Sequence, residues 1–438
     1  MRNHTPCGVN VSASVVVAMT LALVIPLAPV SANVVTDWDA KGVALASPGA
    51  VGEREMAIMH LAMFDAVNAI EPRHHPYLMR AAAPPTASQD AAAAAAAAAV
   101  LSALRPQAAA DIKAALASSL AAIPDGEAKS NGARLGEAAA AKILEARASD
   151  GSTAPESYRP RTSPGVYVPT AAMVGWAFQK MTPFAIPDAS YFRPPPPVSL
   201  QSREWTADYN EIKDLGAKSS AKRTPQQTET AKFWLMVGPP AYHPLARQIA
   251  IARQMSVADS ARFMALYSAA LTDAYIAVFD AKYHYEFWRP LTAIRNADID
   301  GNPDTAPDAA WQPIDATPMH PEYPCAHCIE SGAATAVVQG VLGSDTMPEV
   351  AITSISTPGV THRWTRLTAF ADEIAESRIC AGFHYRFSTR VGTEMGRKIG
   401  AYVVEHILQP IDVAGATSTG GSPATETSGP SPARFRQQ

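Results

Sequence analysis

The chain has 438 residues, 47% of them apolar, with a formal net charge of -4. Length and apolar content suffice for a large buried core. The charge gives no reason to expect nucleic acid or an anionic membrane as partner. Four cysteines are too few for a disulfide framework in a chain of this size.

Taken in order, residues 1–32 read as a signal peptide. Arg2 precedes an apolar run over residues 15–30 that Pro26 and Pro29 interrupt, and Val30-Ser31-Ala32 fits the small-residue cleavage pattern. The expected location is therefore secreted or periplasmic, with no membrane span after cleavage. Removal of that segment takes Cys7 with it. Cys325, Cys328 and Cys380 remain, so at most one internal bridge can form.

Residues 33–150 read as an N-terminal helical region. Met56, Met59, His60, Met63, Val67 and Ile70 have helical spacing. His60 and Asp65 are read there as polar residues at the edge of a packed helix. Residues 91–99 are nearly all alanine, the best helix former, and another alanine-rich helix is expected over 133–147. Residues 151–200 change character. Prolines recur through the stretch and end in Pro194-Pro195-Pro196-Pro197, with aromatics such as Tyr167, Trp176 and Phe178 among them. This is a connection over the surface or a lid that walls a pocket.

Helices resume over 201–412, the expected catalytic region. Thr224-Pro225 with Gln227 predicts a capped start, and Pro239-Pro240 predicts a stop. Helices are expected over 245–255, 257–288, 329–342 and 365–376. Strand signals are scarce, so the fold class is all-α, a helical bundle with long Pro-rich loops. Residues 413–438 are rich in Ser, Thr, Gly and Pro and read as a disordered tail.

Three islands carry the chemistry. Lys282 and Arg289 lie seven apart on one predicted helix, so both cations would point the same way. Their aromatic neighbours Tyr283, Tyr285, Phe287 and Trp288 suggest burial, and buried cations need an anion. Next comes His320-Pro-Glu-Tyr-Pro-Cys325-Ala326-His327-Cys328. Its two cysteines suggest a redox or zinc unit, but that reading leaves the nearby cations unexplained. Cys325, Ala326 and His327 fall instead at a helix entrance, where free N–H groups and the dipole favour an oxyanion. The third island is Ser377-Arg378, followed by His384. These two are six apart, and Gly382 between them offers a break. Three cations and two imidazoles suit the binding and transformation of a tetrahedral oxyanion.

These islands resemble the signature of the vanadium-dependent haloperoxidase and type 2 phosphatidic acid phosphatase superfamily. Its pattern is Lys, six residues, Arg-Pro; then Pro-Ser-Gly-His; then Ser-Arg, five residues, His. Here it stands as Lys282 to Arg289-Pro290, Pro324-Cys325-Ala326-His327, and Ser377-Arg378 to His384. The flanks Tyr285-Glu-Phe-Trp-Arg-Pro-Leu-Thr and Phe383-His-Tyr-Arg-Phe are similar to the secreted chloroperoxidase branch.

The resemblance implies an enzyme of small-molecule substrates. Lys282, Arg289, Arg378, Cys325 and the Ala326 N–H would bind the oxygens of vanadate. His384 would be the vanadium ligand, and His327 the general acid–base in oxidation of halide by hydrogen peroxide. Trp288 and His320 are candidates for the substrate wall, and Asp273 and Glu376 for orienting a histidine or arginine. A metal-free acid phosphatase acting on a phosphoester, with His384 forming a phosphohistidine, is the alternative. A non-catalytic oxyanion-binding protein is the second. Cysteine in place of serine and alanine in place of glycine depart from the pattern.

Overall fold

The computed structural model describes residues 32–81 and 83–411. The expected signal peptide and C-terminal tail lie outside the described residues, apart from Ala32. The N-terminal part holds five α-helices: α1 (Val34–Leu45), α2 (Ala50–Asn68), α3 (Gln89–Leu104), α4 (Ala109–Ala121) and α5 (Glu127–Arg147). Asn33 caps α1 by accepting from the Val35 and Thr36 N–H groups. Residues 91–98 of α3 are alanines, all buried. Their small side chains let α5 approach closely. A Cβ on Gly136 of α5 would stand 2.3 Å from the Ala92 carbonyl.

The Pro-rich segment follows and is docked by its backbone. Tyr167 N–H donates to the Glu286 carbonyl and Val174 N–H to that of Met319. The N–H groups of Phe184, Ala185 and Ile186 all donate to the buried Asp273 carboxylate, at 2.6, 2.7 and 2.9 Å. Burial raises the Asp273 pKa to about 6 and those three donors oppose the rise. Asp273 thus anchors this segment; it does not orient a histidine or arginine of the site. Asp65 does the same at the other end of the chain, accepting from Tyr77, Leu78 and Met79.

The C-terminal part holds α6 (Arg203–Leu215), α7 (Pro225–Phe233), α8 (Pro239–Ala252), α9 (Val257–Tyr285), α10 (Pro290–Arg295) and α11 (Ala326–Leu342). A hairpin of β1 (Thr346–Thr353) and antiparallel β2 (Thr361–Arg366) comes next, then α12 (Leu367–Cys380) and α13 (Arg386–His406). The hairpin is absent from the sequence expectation. It pairs Val350 with Trp364 and Ile352 with His362, and Val350, Ile352 and Trp364 pack into the core. The Thr224–Gln227 capping box starts α7 as expected. Pro239-Pro240 do not stop α7, which already ends at Phe233; they begin α8, because proline lacks only an N–H that the first turn leaves unpaired anyway.

Helix α9 is the hub. It packs against α2, α8, α11 and α13. By length and composition it could cross a membrane, contrary to the expectation that no later segment could, yet 94% of its most apolar window is buried inside the protein. It ends at Tyr285, and Glu286 after it sits in the left-handed region at φ 49°. The predicted helix over 257–288 therefore stops short. Lys282 is on α9, whereas Arg289 is the residue that precedes α10. The two cations do not share a helix face.

Helix α13 sets α11 in place. Gly392, Gly396 and Gly400 lie along one face of α13, and an added Cβ would meet the carbonyls of Cys325, Ile329 and Ala333 at 2.6, 2.0 and 2.6 Å. This backbone-to-backbone approach fixes the helix whose first turn enters the site.

Candidate active site

Lys282, Arg289 and Arg378 are all buried, at 0%, 1% and 2% exposure. Lys282 Nζ donates to the carbonyls of Pro321 and Glu322 at 3.0 and 2.7 Å. Arg289 Nε donates to the His320 carbonyl at 2.8 Å, and its Nη1 to that of Phe383 at 3.0 Å. Arg378 donates through Nη1 to the Trp234 carbonyl, while its Nε has no protein partner. The cations thus hold three separate loops around one point through neutral carbonyls, which leaves their charge largely uncompensated.

His384 reaches this point because α12 ends before it. Gly382 takes φ +79°, and the N–H groups of Phe383 and His384 both turn back to the Arg378 carbonyl at 3.1 and 3.4 Å. His384 Nδ1 lies 2.8 Å from Glu322 Oε1 and its Nε2 lies 3.3 Å from Arg289 Nη1. The carboxylate accepts, so Nδ1 carries the proton and Nε2 keeps its lone pair. Glu322 also receives the Tyr385 N–H.

Burial, then Arg289, Lys282 and Arg378, push His384 well below the usual imidazole range. Burial and then Arg378 do the same to His327, so both rings are neutral. Burial, then Arg289, depress Lys282 well below the usual ammonium value. Arg289 is lowered to about 10, by burial foremost. Burial lifts Glu322 to about 7, against the pull of Lys282 and Arg289.

His327 occupies the first turn of α11, after Ala326. Its Nε2 lies 3.1 Å from the Met236 carbonyl, and Tyr242 Oη donates to the His327 carbonyl at 3.1 Å. Ala326, His327, Arg378 and His384 line the inner part of a cavity of about 570 Å³.

The sequence-predicted residues sort as follows. Lys282, Arg289, Ala326, His327, Arg378 and His384 converge. His320 lines the cavity too, its ring against Phe279 and its nitrogens facing Arg289. Cys325 does not line the cavity; its sulfur accepts the Cys328 N–H at 3.3 Å and caps α11. All three described cysteines are buried free thiols. Trp288 points elsewhere, stacked on Trp205 in a separate aromatic cluster with Phe287 and Tyr385. Glu376 pairs with Arg386 at the surface and orients nothing in the site.

Glu322, Tyr275, Phe279 and the Met236 carbonyl were missed by sequence reasoning. Glu322 alone had a signal, its place within the middle island.

A second polar cluster joins α1 and α2 to α8. His60 Nε2 and His243 Nδ1 stand 3.0 and 2.7 Å from Asp39 Oδ1, His243 Nε2 stands 3.1 Å from Glu53, and Arg247 donates to Asp39 Oδ2. His60 is thus fully buried, not at a helix edge. Asp39, His60 and His243 bring three metal-ligating atoms within 4.8 Å of one another. Two carboxylates there face two basic groups, His243 and Arg247, so that cluster balances itself. The cavity site does not.

Comparison with known proteins agrees with this geometry. Residues 262–413 match the family model of the vanadium chloroperoxidase second helical-bundle domain. The chain is 30% identical over 183 residues to the vanadium chloroperoxidase of Curvularia inaequalis. That alignment covers 34% of this chain and 30% of the Curvularia protein, well under two thirds of its length. The likeness of fold extends over more of the chain. A bacterial vanadium-dependent iodoperoxidase superposes with a TM-score of 0.72 at 23% identity, over 86% of this chain and 96% of its own. A holo-type bacterial vanadium-dependent chloroperoxidase gives 0.68 at 19%, over 83% and 93%.

Proposed function

We propose that this chain is a vanadate-dependent haloperoxidase, secreted or periplasmic, that oxidises halide with hydrogen peroxide. The observation that carries the reading is a charge imbalance. Lys282, Arg289 and Arg378 are buried, with Glu322 as the carboxylate that Lys282 and Arg289 act on, beside two neutral imidazoles. An uncompensated buried charge costs several kcal/mol, and a bound oxyanion removes that cost. The free Arg378 Nε and the lone pair on His384 Nε2 suit vanadate as that oxyanion.

In this reading Lys282, Arg289 and Arg378 hold the anion's oxygens, and the Ala326 N–H donates from the start of α11. His384 Nε2 is the ligand to vanadium, held in that tautomer by Glu322. His327 moves the proton, from the ring nitrogen not turned to Met236. Bound vanadate supplies a Lewis acid that activates peroxide toward halide. The buried, apolar surroundings keep bulk water from competing.

A second reading has one observation in its favour. A neutral histidine with a carboxylate behind it is also a good nucleophile, so His384 Nε2 could attack phosphorus in a metal-free phosphatase. The purified protein, with and without vanadate, is assayed for iodide and bromide oxidation by peroxide and for hydrolysis of p-nitrophenyl phosphate. Halide oxidation that needs vanadate and is lost in His384→Ala supports the first reading. Hydrolysis that vanadate inhibits replaces it with the second. Vanadate binding with neither activity replaces both with an oxyanion-binding protein.

A further inference from the structure

The oxyanion site accounts for the cations but gives the two cysteines of the middle island no chemistry. Cys325 and Cys328 are free thiols, both at 0% exposure. Cys325 is the residue before α11, and Cys328 lies in its first turn. Among the described residues neither belongs to a group of three metal-ligating side chains, so the pair is not half of a metal centre.

The geometry suits a bridge between them. Ala326 and His327, the two residues that separate them, are helical. Helix geometry puts Cα atoms three residues apart at about 5 Å, inside the roughly 4.4–6.8 Å that a disulfide spans. Within a helix the Cβ atoms of such a pair stand about 5–6 Å apart, beyond the roughly 3.5–4.5 Å a disulfide takes. Cys325 escapes that limit because its own backbone is extended. At ψ 121° its side chain turns back over the first turn, and its sulfur accepts the Cys328 N–H at 3.3 Å. A Cβ on Gly392 of α13 would stand 3.2 Å from Cys328 Cβ and 3.3 Å from Cys325 N. Both cysteines are therefore held under one point of α13.

The surroundings divide the two thiols. Burial disfavours a thiolate at Cys325, but its hydrogen bond with Cys328 and the charges of Arg378 and Lys282 outweigh that and lower its pKa. Burial, then the hydrogen bond with Cys325, raise Cys328 well above the usual thiol value. A Cys-x-x-Cys pair at a helix start beside cations is the setting in which the first sulfur attacks and the second resolves. Ala326 and His327 line the cavity, so a peroxide at the oxyanion site is one residue along the chain from Cys325. Cys380 has none of this. It packs with Ala231 and Phe383, and burial lifts its thiol to about 11.

We propose that Cys325 and Cys328 form a peroxide-oxidised dithiol, which hydrogen peroxide converts to a disulfide across the first turn of α11. The Cys325 sulfur attacks one peroxide oxygen, the O–O bond breaks, and the hydroxide that leaves takes the Cys325 proton as water. The Cys328 sulfur then attacks the Cys325 sulfenic acid. The S–S bond forms, the S–O bond breaks, and the second hydroxide takes the Cys328 proton. Two thiols and one peroxide give one disulfide and two waters; the sulfurs lose two electrons and the peroxide gains them. The bridge stops Cys325 from being carried on to irreversible acids. The step needs neither vanadate nor halide, so it stands apart from the haloperoxidase reading.

The test treats the purified protein, free of vanadate and halide, with one equivalent of hydrogen peroxide, then alkylates it and maps the peptides by mass spectrometry. Cys325 and Cys328 are expected to lose alkylation together, in a peptide lighter by two hydrogens, and dithiothreitol to restore both. Loss at Cys380 is expected to be at least about tenfold slower. In Cys328→Ser, Cys325 is expected to go on to sulfinic or sulfonic acid, which dithiothreitol does not reverse. Should that variant not fold, Cys380→Ser takes its place and must form the same bridge. Full alkylation after peroxide, wild-type oxidation of Cys325 without a bridge, or a bridge that includes Cys380 overturns the proposal. The bridge without vanadate-dependent halide oxidation overturns the haloperoxidase reading alone, and such oxidation without the bridge overturns this proposal alone.

Discussion

Glu322 receives a hydrogen bond from His384 Nδ1 at 2.8 Å while the imidazole's other nitrogen faces Arg289. One carboxylate therefore sets the tautomer of the candidate ligand and offsets part of the charge around it. Replacing Glu322 with Gln keeps the shape and removes the charge. Vanadate affinity, read by titration calorimetry, is expected to fall about 10- to 100-fold, the usual range for such partners. An unchanged affinity would show that the dyad is packing alone.

Arg378 tests the charge imbalance. Tetrahedral anions should raise the melting temperature of the wild type, because they bind the folded state alone; at 100 times Kd the gain is about 2.7 kcal/mol. Arg378→Met removes one of three cations and the unpartnered Nε. The variant is expected to melt at or above the anion-free wild type and to gain little from phosphate or vanadate. Full stabilisation of the variant by either anion would place the binding elsewhere.

The cluster around His243 predicts a pH profile. Burial opposes charge on His243, but Asp39 and Glu53 on its two nitrogens outweigh it and raise the pKa from 6.5 to about 9. A raised histidine pKa gives stability that is fully present below pH 6.5 and is lost as pH climbs through 9. The shift corresponds to roughly 3 kcal/mol. Denaturant melts of the wild type should weaken over that window, and those of His243→Gln should start lower and change less across it. Parallel profiles would exclude His243 as the titrating group.

Gly175 tests the cavity wall. Its φ is +81°, and a Cβ there would stand 2.1 Å from the Phe279 ring. Gly175→Ala should cost at least about 2 kcal/mol, part from the left-handed backbone and part from the clash. Since Gly175 and Phe279 both line the cavity, the KM for halide should change alongside stability in thermal and kinetic assays.

Much of the site was legible because its residues stand at fixed spacings in short islands. Lys282 to Arg289-Pro290, Cys325-Ala326-His327, and Arg378 to His384 announced an oxyanion site without any fold. The helix geometry assigned to the first island was wrong, since α9 ends at Tyr285 and a turn brings Arg289 round. Glu322 was in view but without a role, because its partner is 62 residues away. The Asp39–His243 pair, 204 residues apart, was invisible for the same reason. Trp288 was misjudged because an aromatic beside a motif can face either side of the backbone.

The sequence by itself determined the helical class, the cap of α7, the break at Gly382 and the identities of the charged groups. Those depend on local backbone preference and on residue chemistry, which travel with the chain. Only the tertiary structure decided that Lys282 and Arg289 act on one carboxylate, that Cys325 serves a helix end, and that Val51, Val174 and Val237 line one opening. Burial, pairing and cavity shape arise between segments far apart in sequence, and no periodicity records which segments will meet.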